Sequence, residues 1–389
     1  MVERFRDEWK QSGIFVGEEV DLSAIADDAV IYPGCRITGK ATSIGPGCIL
    51  GAEAPATVEN CQLGRKVALK GGYFSGATFL DGANMGSGAH VRSGTLMEEE
   101  SGGAHSVGFK QTIFLPFVTA GSLINFCDAL MAGGTSRKDH SEIGSSYIHF
   151  NFTPHQDKAT ASLIGDVPNG VFIDNKPIFL GGQGGLVGPA RMAYGTIIAA
   201  GGVCRKDILK KNQLHVAAEP KAVTMDYEAG VYRGLDRIVK NNLLYIGNIL
   251  ALREWYRNVR SRFMTRDRFD RACYVGALEK LELVLAERIK RMDDLANKMN
   301  DSIDRLEAIG GSADSIRMQK RFVDEWPQIE EKICTLDFGK ESAQRSALLN
   351  ALADGEYIEA VRALPPAARE AGRAWLQSIA DDVEALWRV

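Results

Sequence analysis

Tryptophan is absent between Trp9 and Trp255. A core too narrow for the largest side chain would leave such a gap. No apolar run approaches the ~20 residues that a membrane-spanning helix needs. The opening residues, MVERFRDEWKQSG, are charged and lack the apolar stretch of a signal peptide. The cysteines at 35, 48, 61, 127, 204, 273 and 334 form neither a CxxC pair nor a His/Cys cluster. No structural zinc and no disulfide frame is therefore expected, and a reducing cytoplasm is. With a net charge of −4 the chain has no electrostatic pull toward nucleic acid or an acidic membrane.

What is present is unevenly spread. Of 41 glycines, 32 lie at or before Gly202. Residues 222–389 carry 26 Lys and Arg and 28 Asp and Glu, against 20 and 22 in the longer segment before them. A glycine-rich, charge-poor region followed by a charge-dense one predicts two architectures.

The first is carried by a period of six. Leu180, Leu186, Met192, Ile198 and Cys204 recur at that interval, with glycine, proline and polar residues between. Six is neither a helical period nor a strand alternation. It suits a solenoid in which each short strand makes one side of a coil and each sixth residue points inward. The same interval links Ile25, Ile31 and Ile37, then Ile44 and Leu50, Leu63 and Leu69, and Phe79, Met85, Val91 and Met97. It continues weakly through Val107, Ile113 and Thr119. Glycines flank many of these positions, as the positive φ of tight corners requires. The predicted fold is mainly a β solenoid plus α: a left-handed parallel β-helix of hexapeptide repeats over 20–221, followed by an α-helical domain over 222–389. Residues 1–19 form a helical cap, with Phe5 and Trp9 on one face. Loops near 129–141 and 151–162 leave the coil, and such loops are where function concentrates.

In the second region the run 225–263 reads as helix. A seven-residue pattern holds over 270–307 through Leu278, Leu285, Met292, Met299 and Leu306, with Ile289, Ala296 and Ile303 between. It predicts a helical hairpin resembling a coiled coil, stopped at Gly310-Gly311. Shorter helices are expected over 313–334, 341–363 and 366–387.

Five stretches carry a likeness to a known family: VRSGTL (91–96), FKQT (109–112), AGSLINFCD (120–128), EIGSS with HFNF (142–152), and GGQGGLVGP with TIIAAGGVCRKD (181–207). They resemble the hexapeptide-repeat, left-handed β-helix acyltransferases, closest to the acetyltransferase half of the bifunctional glucosamine-1-phosphate acetyltransferase / N-acetylglucosamine-1-phosphate uridylyltransferase. That resemblance implies a homotrimer using acetyl-CoA or another acyl-CoA as co-substrate, with a sugar phosphate or nucleotide sugar as acceptor. Magnesium is a further candidate cofactor, and no protein-held metal is expected. It places Arg92 and Lys110 as the phosphate grip, a role that a guanidinium fork and an ammonium suit. Asn125 and Asn151 fall at substrate positions. Gly182, Ala199, Ala200 and Gly201 match a wall along which the acyl-CoA arm runs, with Arg205 and Lys206 facing CoA phosphates. The segment Gly181-Gly182-Gln183-Gly184-Gly185 is read as solenoid corners, since it joins no strand to a helix.

One departure stands out. The family's catalytic histidine falls at Ser122, whose hydroxyl cannot take a proton from an amine at neutral pH; loss of a positioned base costs about 10²–10⁴-fold in rate. The replacement bases are His149 or His155, or His105 or His140 from the loops. The alternative is a non-catalytic trimeric scaffold that binds a sugar nucleotide while its helical domain docks a partner. A uridylyltransferase domain is not expected, because the solenoid begins near residue 20.

Overall fold

The computed structural model describes residues 8–217 and 222–388, so Phe5 lies outside the described residues. The chain winds as a parallel β-solenoid followed by helices. Among the described residues a ten-stranded parallel sheet forms one face of the coil, and a sixteen-stranded sheet folds over the other two.

Inward side chains stack in columns, one per face. Ile37, Val58, Phe74, Val91 and Phe109 form one column. Leu50, Leu69, Met85 and Gly103 form the second. Ile44, Leu63, Phe79, Met97, Phe114 and Met131 form the third. The predicted series Leu180, Leu186, Met192, Ile198 and Cys204 is buried throughout. Each slot removes an apolar side chain from water, worth about 1.5–3 kcal/mol for a Leu or Met, so the period of six fixes the coil.

Two local expectations are corrected. Val107 and Ile113 are buried, but the inward slots here are Phe109, Phe114 and Ala120; Ile113 lies on the outward row of the third face, and the Thr119 side chain reaches the surface. The corner at Lys110–Gln111, with Gln111 at φ 54°, is one residue shorter than its counterpart on the preceding coil, so Phe114 follows Phe109 after five residues and the register shifts. Residues 129–131 are not loop: they finish the eight-residue strand Ile124–Met131. The excursion is smaller, a hairpin of Gly134–Ser136 with Asp139–His140. A further one, between Ser162–Ile164 and Phe179–Leu180, carries the short helix α1 (Val167–Gly170), capped by the Asp166 side chain on Asn169 N–H.

The third face differs from the others. Its outward row, Leu96, Ile113, Leu130 and Leu163, is also buried. On the ten-stranded face the outward Val30, Ile49, Phe179 and Ile197 stay exposed. The cover is helical. Helix α2 (Leu235–Trp255) packs on strand Ser162–Ile164, and α3 (Arg268–Ala308) crosses the strands at Ser43–Ile44, Gln62–Leu63, Ala77–Phe79 and Thr95–Met97. Solenoid and helices share one continuous apolar cluster.

Helix α2 starts ten residues later than the pattern at 225 predicts, because Gly230 and Gly234 adopt φ of 84° and 68°. It runs through a π turn (Tyr256–Arg260). Helix α3 begins at its Asp267 cap and ends before Gly310, φ 69°. Its heptad residues Leu285, Met292, Met299 and Leu306 are buried. Helices α4 (Ala313–Thr335), α5 (Ala343–Ala351), α6 (Tyr357–Ala363) and α7 (Pro366–Glu384) follow, with α4 against α3. The single helix expected over 341–363 is split at Gly355, φ 129°. The N-terminal turn, residues 8–11, sets Trp9 against the core.

Candidate functional site

The corner between the ten-stranded face and the first strand row carries His105, Ser122, Ser145, Gly182 and Gly201 on successive coils. Backbone hydrogen bonds tie them in line: Leu123 N–H to His105 O (3.1 Å), Ser146 N–H to Ser122 O (2.8 Å), Gln183 N–H to Ser145 O (2.7 Å) and Gly201 N–H to Gly182 O (2.9 Å). Small residues are required behind this edge. A Cβ on Gly144 would stand 2.4 Å from Gly182 N, and one on Gly181 would stand 2.4 Å from Ala200 N. Ser122 and the Gly182, Ala199, Ala200 and Gly201 stretch, distant in sequence, thus share one edge.

The face beside the edge gathers Arg92, Lys110 and Asn125. Lys110 pairs in register with Cys127, and Arg92 N–H donates to Phe109 O (2.9 Å). The Cys127 thiol, which no motif marks, bridges the group: Arg92 Nη2 donates to its sulfur at 3.7 Å, and the thiol donates to Asn125 Oδ1 at 3.4 Å. Burial pushes the Cys127 thiol pKa up, with the neighbouring Asp128 adding to the effect; it is a neutral hydrogen-bonding group. Arg205 and Lys206 are exposed further along the solenoid.

Asn151 is held from behind. Its Nδ2 donates to Asp128 Oδ2, and Asp128 Oδ1 accepts from Arg288 Nη2 of α3 at 2.7 Å. Arg288 also donates to Lys158 O at 3.2 Å. The helical segment therefore reaches the loop that carries Asn151.

The two predicted replacement bases fare badly. His149 fills an inward slot between Phe126 and Leu186. It is 2% exposed, and both ring nitrogens are engaged, Nδ1 with Cys127 O (2.5 Å) and Nε2 with Ser162 Oγ (2.8 Å). Burial lowers its pKa. It is a core histidine and meets no acceptor at the surface. His155 belongs to the seam with the helices: Nδ1 accepts from Gly230 N–H at 3.2 Å, and the ring lies 4.6 Å from that of Tyr232. His140 rests on its own hairpin, with Nδ1 3.0 Å from Arg137 O.

The remaining candidate is placed otherwise. His105 Nδ1 lies 2.9 Å from Ser122 Oγ. The signal was present in the sequence: coils here advance by 17, as in Gly108 with Asn125 and Lys110 with Cys127, and 105 is 17 before 122. Among the described residues no three His, Cys, Asp or Glu side chains converge on a metal site, and magnesium gains no support.

No protein-family model matches the chain. It is similar to the bifunctional protein GlmU of Thermotoga maritima, 26% identical over 185 residues, 47% of this chain and 37% of that protein. The GlmU of Trichlorobacter lovleyi is 29% identical over 198 residues, 51% and 38%. That of Thermus thermophilus is 30% identical over 197 residues, 49% and 39%. The matches span less than two fifths of these relatives. Together with the parallel solenoid, they fit the left-handed β-helix acyltransferases related to the C-terminal half of GlmU.

Proposed function

We propose that the chain is an acyl-CoA-dependent acyltransferase that acts on a sugar phosphate or nucleotide sugar. The observation that carries this reading is the shared edge. Ser122, at the family's catalytic position, lies in line with Gly182 and Gly201, and the Arg92–Cys127–Asn125 chain opens on the adjoining face. A thin pantetheine arm could lie along small residues, and a phosphate could meet Arg92 and Lys110. Acetyl-CoA is the co-substrate, Arg205 and Lys206 meet its phosphates, and the working species is a cytoplasmic homotrimer with sites between neighbouring solenoids.

Calorimetric titration with acetyl-CoA, glucosamine 1-phosphate and UDP-sugars tests the reading. Saturable acetyl-CoA binding supports it, and absence of any CoA binding sinks it. The replacement of histidine by Ser122 favours a second reading, a silent scaffold that binds a sugar nucleotide and docks a partner through its helices. Turnover by the wild-type chain would exclude that reading.

A further inference from the structure

We infer that His105 is the general base of this site and that Ser122 positions it. The inference rests on the transferase reading above. It starts from the 2.9 Å contact between Ser122 Oγ and His105 Nδ1, on adjacent coils of the edge that carries Gly182 and Gly201.

Ser122 is itself fixed: its N–H donates to Ser145 Oγ at 3.2 Å, and its carbonyl accepts from Ser146 N–H. A hydroxyl held in this way can accept from Nδ1–H. The neutral imidazole then keeps its lone pair on Nε2, because the partner of one ring nitrogen decides the role of the other. The ring is exposed and so can reach an acceptor, unlike buried His149. Along the same edge the preceding coil presents Ser87, whose N–H donates to Glu53, a carboxylate from two coils further back that is paired with Lys70 at 3.0 Å. The following coils present the uncharged Ser145 and Gly182.

The step balances without a further reactant. The acceptor amine attacks the thioester carbonyl, and a C–N bond forms. His105 Nε2 takes the N–H proton. The C–S bond breaks, its electron pair leaves on the CoA sulfur, and Nε2–H returns the proton to that thiolate. Nothing is oxidised or reduced.

The test uses the full chain, acetyl-CoA and glucosamine 1-phosphate, with CoA release measured across pH and acetyl-CoA affinity measured by calorimetry. H105Q should lose about 10²–10⁴-fold in kcat and the acidic limb of the pH profile, at unchanged acetyl-CoA affinity. S122A should lose about tenfold, a modest share of that base contribution, and keep the limb. A merely structural contact would leave the limb in place in both variants. Undiminished turnover in H105Q overturns the assignment. So does abolished turnover in S122A with a burst of CoA from wild type, which would make Ser122 a nucleophile. Wild type that binds acetyl-CoA without turnover overturns the base and leaves the binding reading; wild type that binds no acetyl-CoA overturns the reading itself.

Discussion

Arg288 of the long helix donates to Asp128 of the solenoid at 2.7 Å, and the two side chains are 1% and 6% exposed. Asp128 in turn holds Asn151. One helix residue thus reaches the candidate substrate loop through a single carboxylate, so the helical segment bears on the site as well as on stability.

Removing one partner would leave the other charge buried and uncompensated. R288M should cost about 3–5 kcal/mol. Adding D128N, which keeps a side chain tolerant of the positive φ at this position, should recover part of that loss. Urea unfolding of the two single variants and the double variant measures the coupling. Recovery near zero would mean that packing, not charge, is what Arg288 supplies.

Glu98 gives the protein a pH-dependent stability. Burial raises its carboxyl to about 7, partly offset by Arg260. Tyr256 donates to it at 2.7 Å, while Arg260 is already paired with Glu99 at 2.6 Å. A carboxyl whose folded pKa is raised binds its proton more tightly in the folded state. The stabilisation is full below the unfolded value near 4.5, and it is lost as pH rises toward about 7. E98Q should flatten that decline. Thermal melts of both proteins from about pH 4 to about pH 8, a window bracketing the unfolded and folded values, read it.

The proposed phosphate grip is testable apart from catalysis. R92A with K110A should weaken binding of glucosamine 1-phosphate about tenfold or more, since each charge-assisted hydrogen bond contributes about 1.5–3 kcal/mol. Acetyl-CoA affinity should stay unchanged. Equal loss of both ligands would place the two residues outside a dedicated phosphate site.

Two glycines on the edge should respond differently. At Gly201, φ is 77° and a Cβ would meet nothing within 4 Å, so G201A should cost only the conformational penalty, about 1 kcal/mol. At Gly181 the Cβ would strike Ala200 N and Ile198 O at 2.4 and 2.5 Å. G181A should cost about 3 kcal/mol, the upper end for overpacking, and weaken acetyl-CoA binding. Denaturation midpoints with calorimetry check the order.

The solenoid was legible because its period repeats one local demand, an inward apolar residue at each sixth position. The helices were legible where apolar spacing and Gly310 agreed. Their cover of the third face had a signal in the chain: the triads Thr95-Leu96-Met97, Thr112-Ile113-Phe114, Ala129-Leu130-Met131 and Ser162-Leu163-Ile164 each carry two adjacent apolar residues, one for each side of the strand. A period of six marks one member of a pair, the inward Met97 in the first triad and the outward Ile113 in the second. The candidate site was legible only as separate residues. Ser122, Arg92, Lys110 and Asn125 stand near one another, but Asp128, Cys127 and Arg288 carried no motif.

The sequence by itself determined the coil and the helical ending, since each follows from residues close in the chain, and it pointed to position 122 only through a family resemblance. Only the tertiary structure decided which histidine meets that position. Winding brings 105 against 122 and turns 149 inward, and side-chain direction on a coil depends on register, which one corner residue more or fewer can shift. It likewise decided that Arg288 ends on Asp128, a contact across 160 residues that packing on the third face creates and no local pattern encodes.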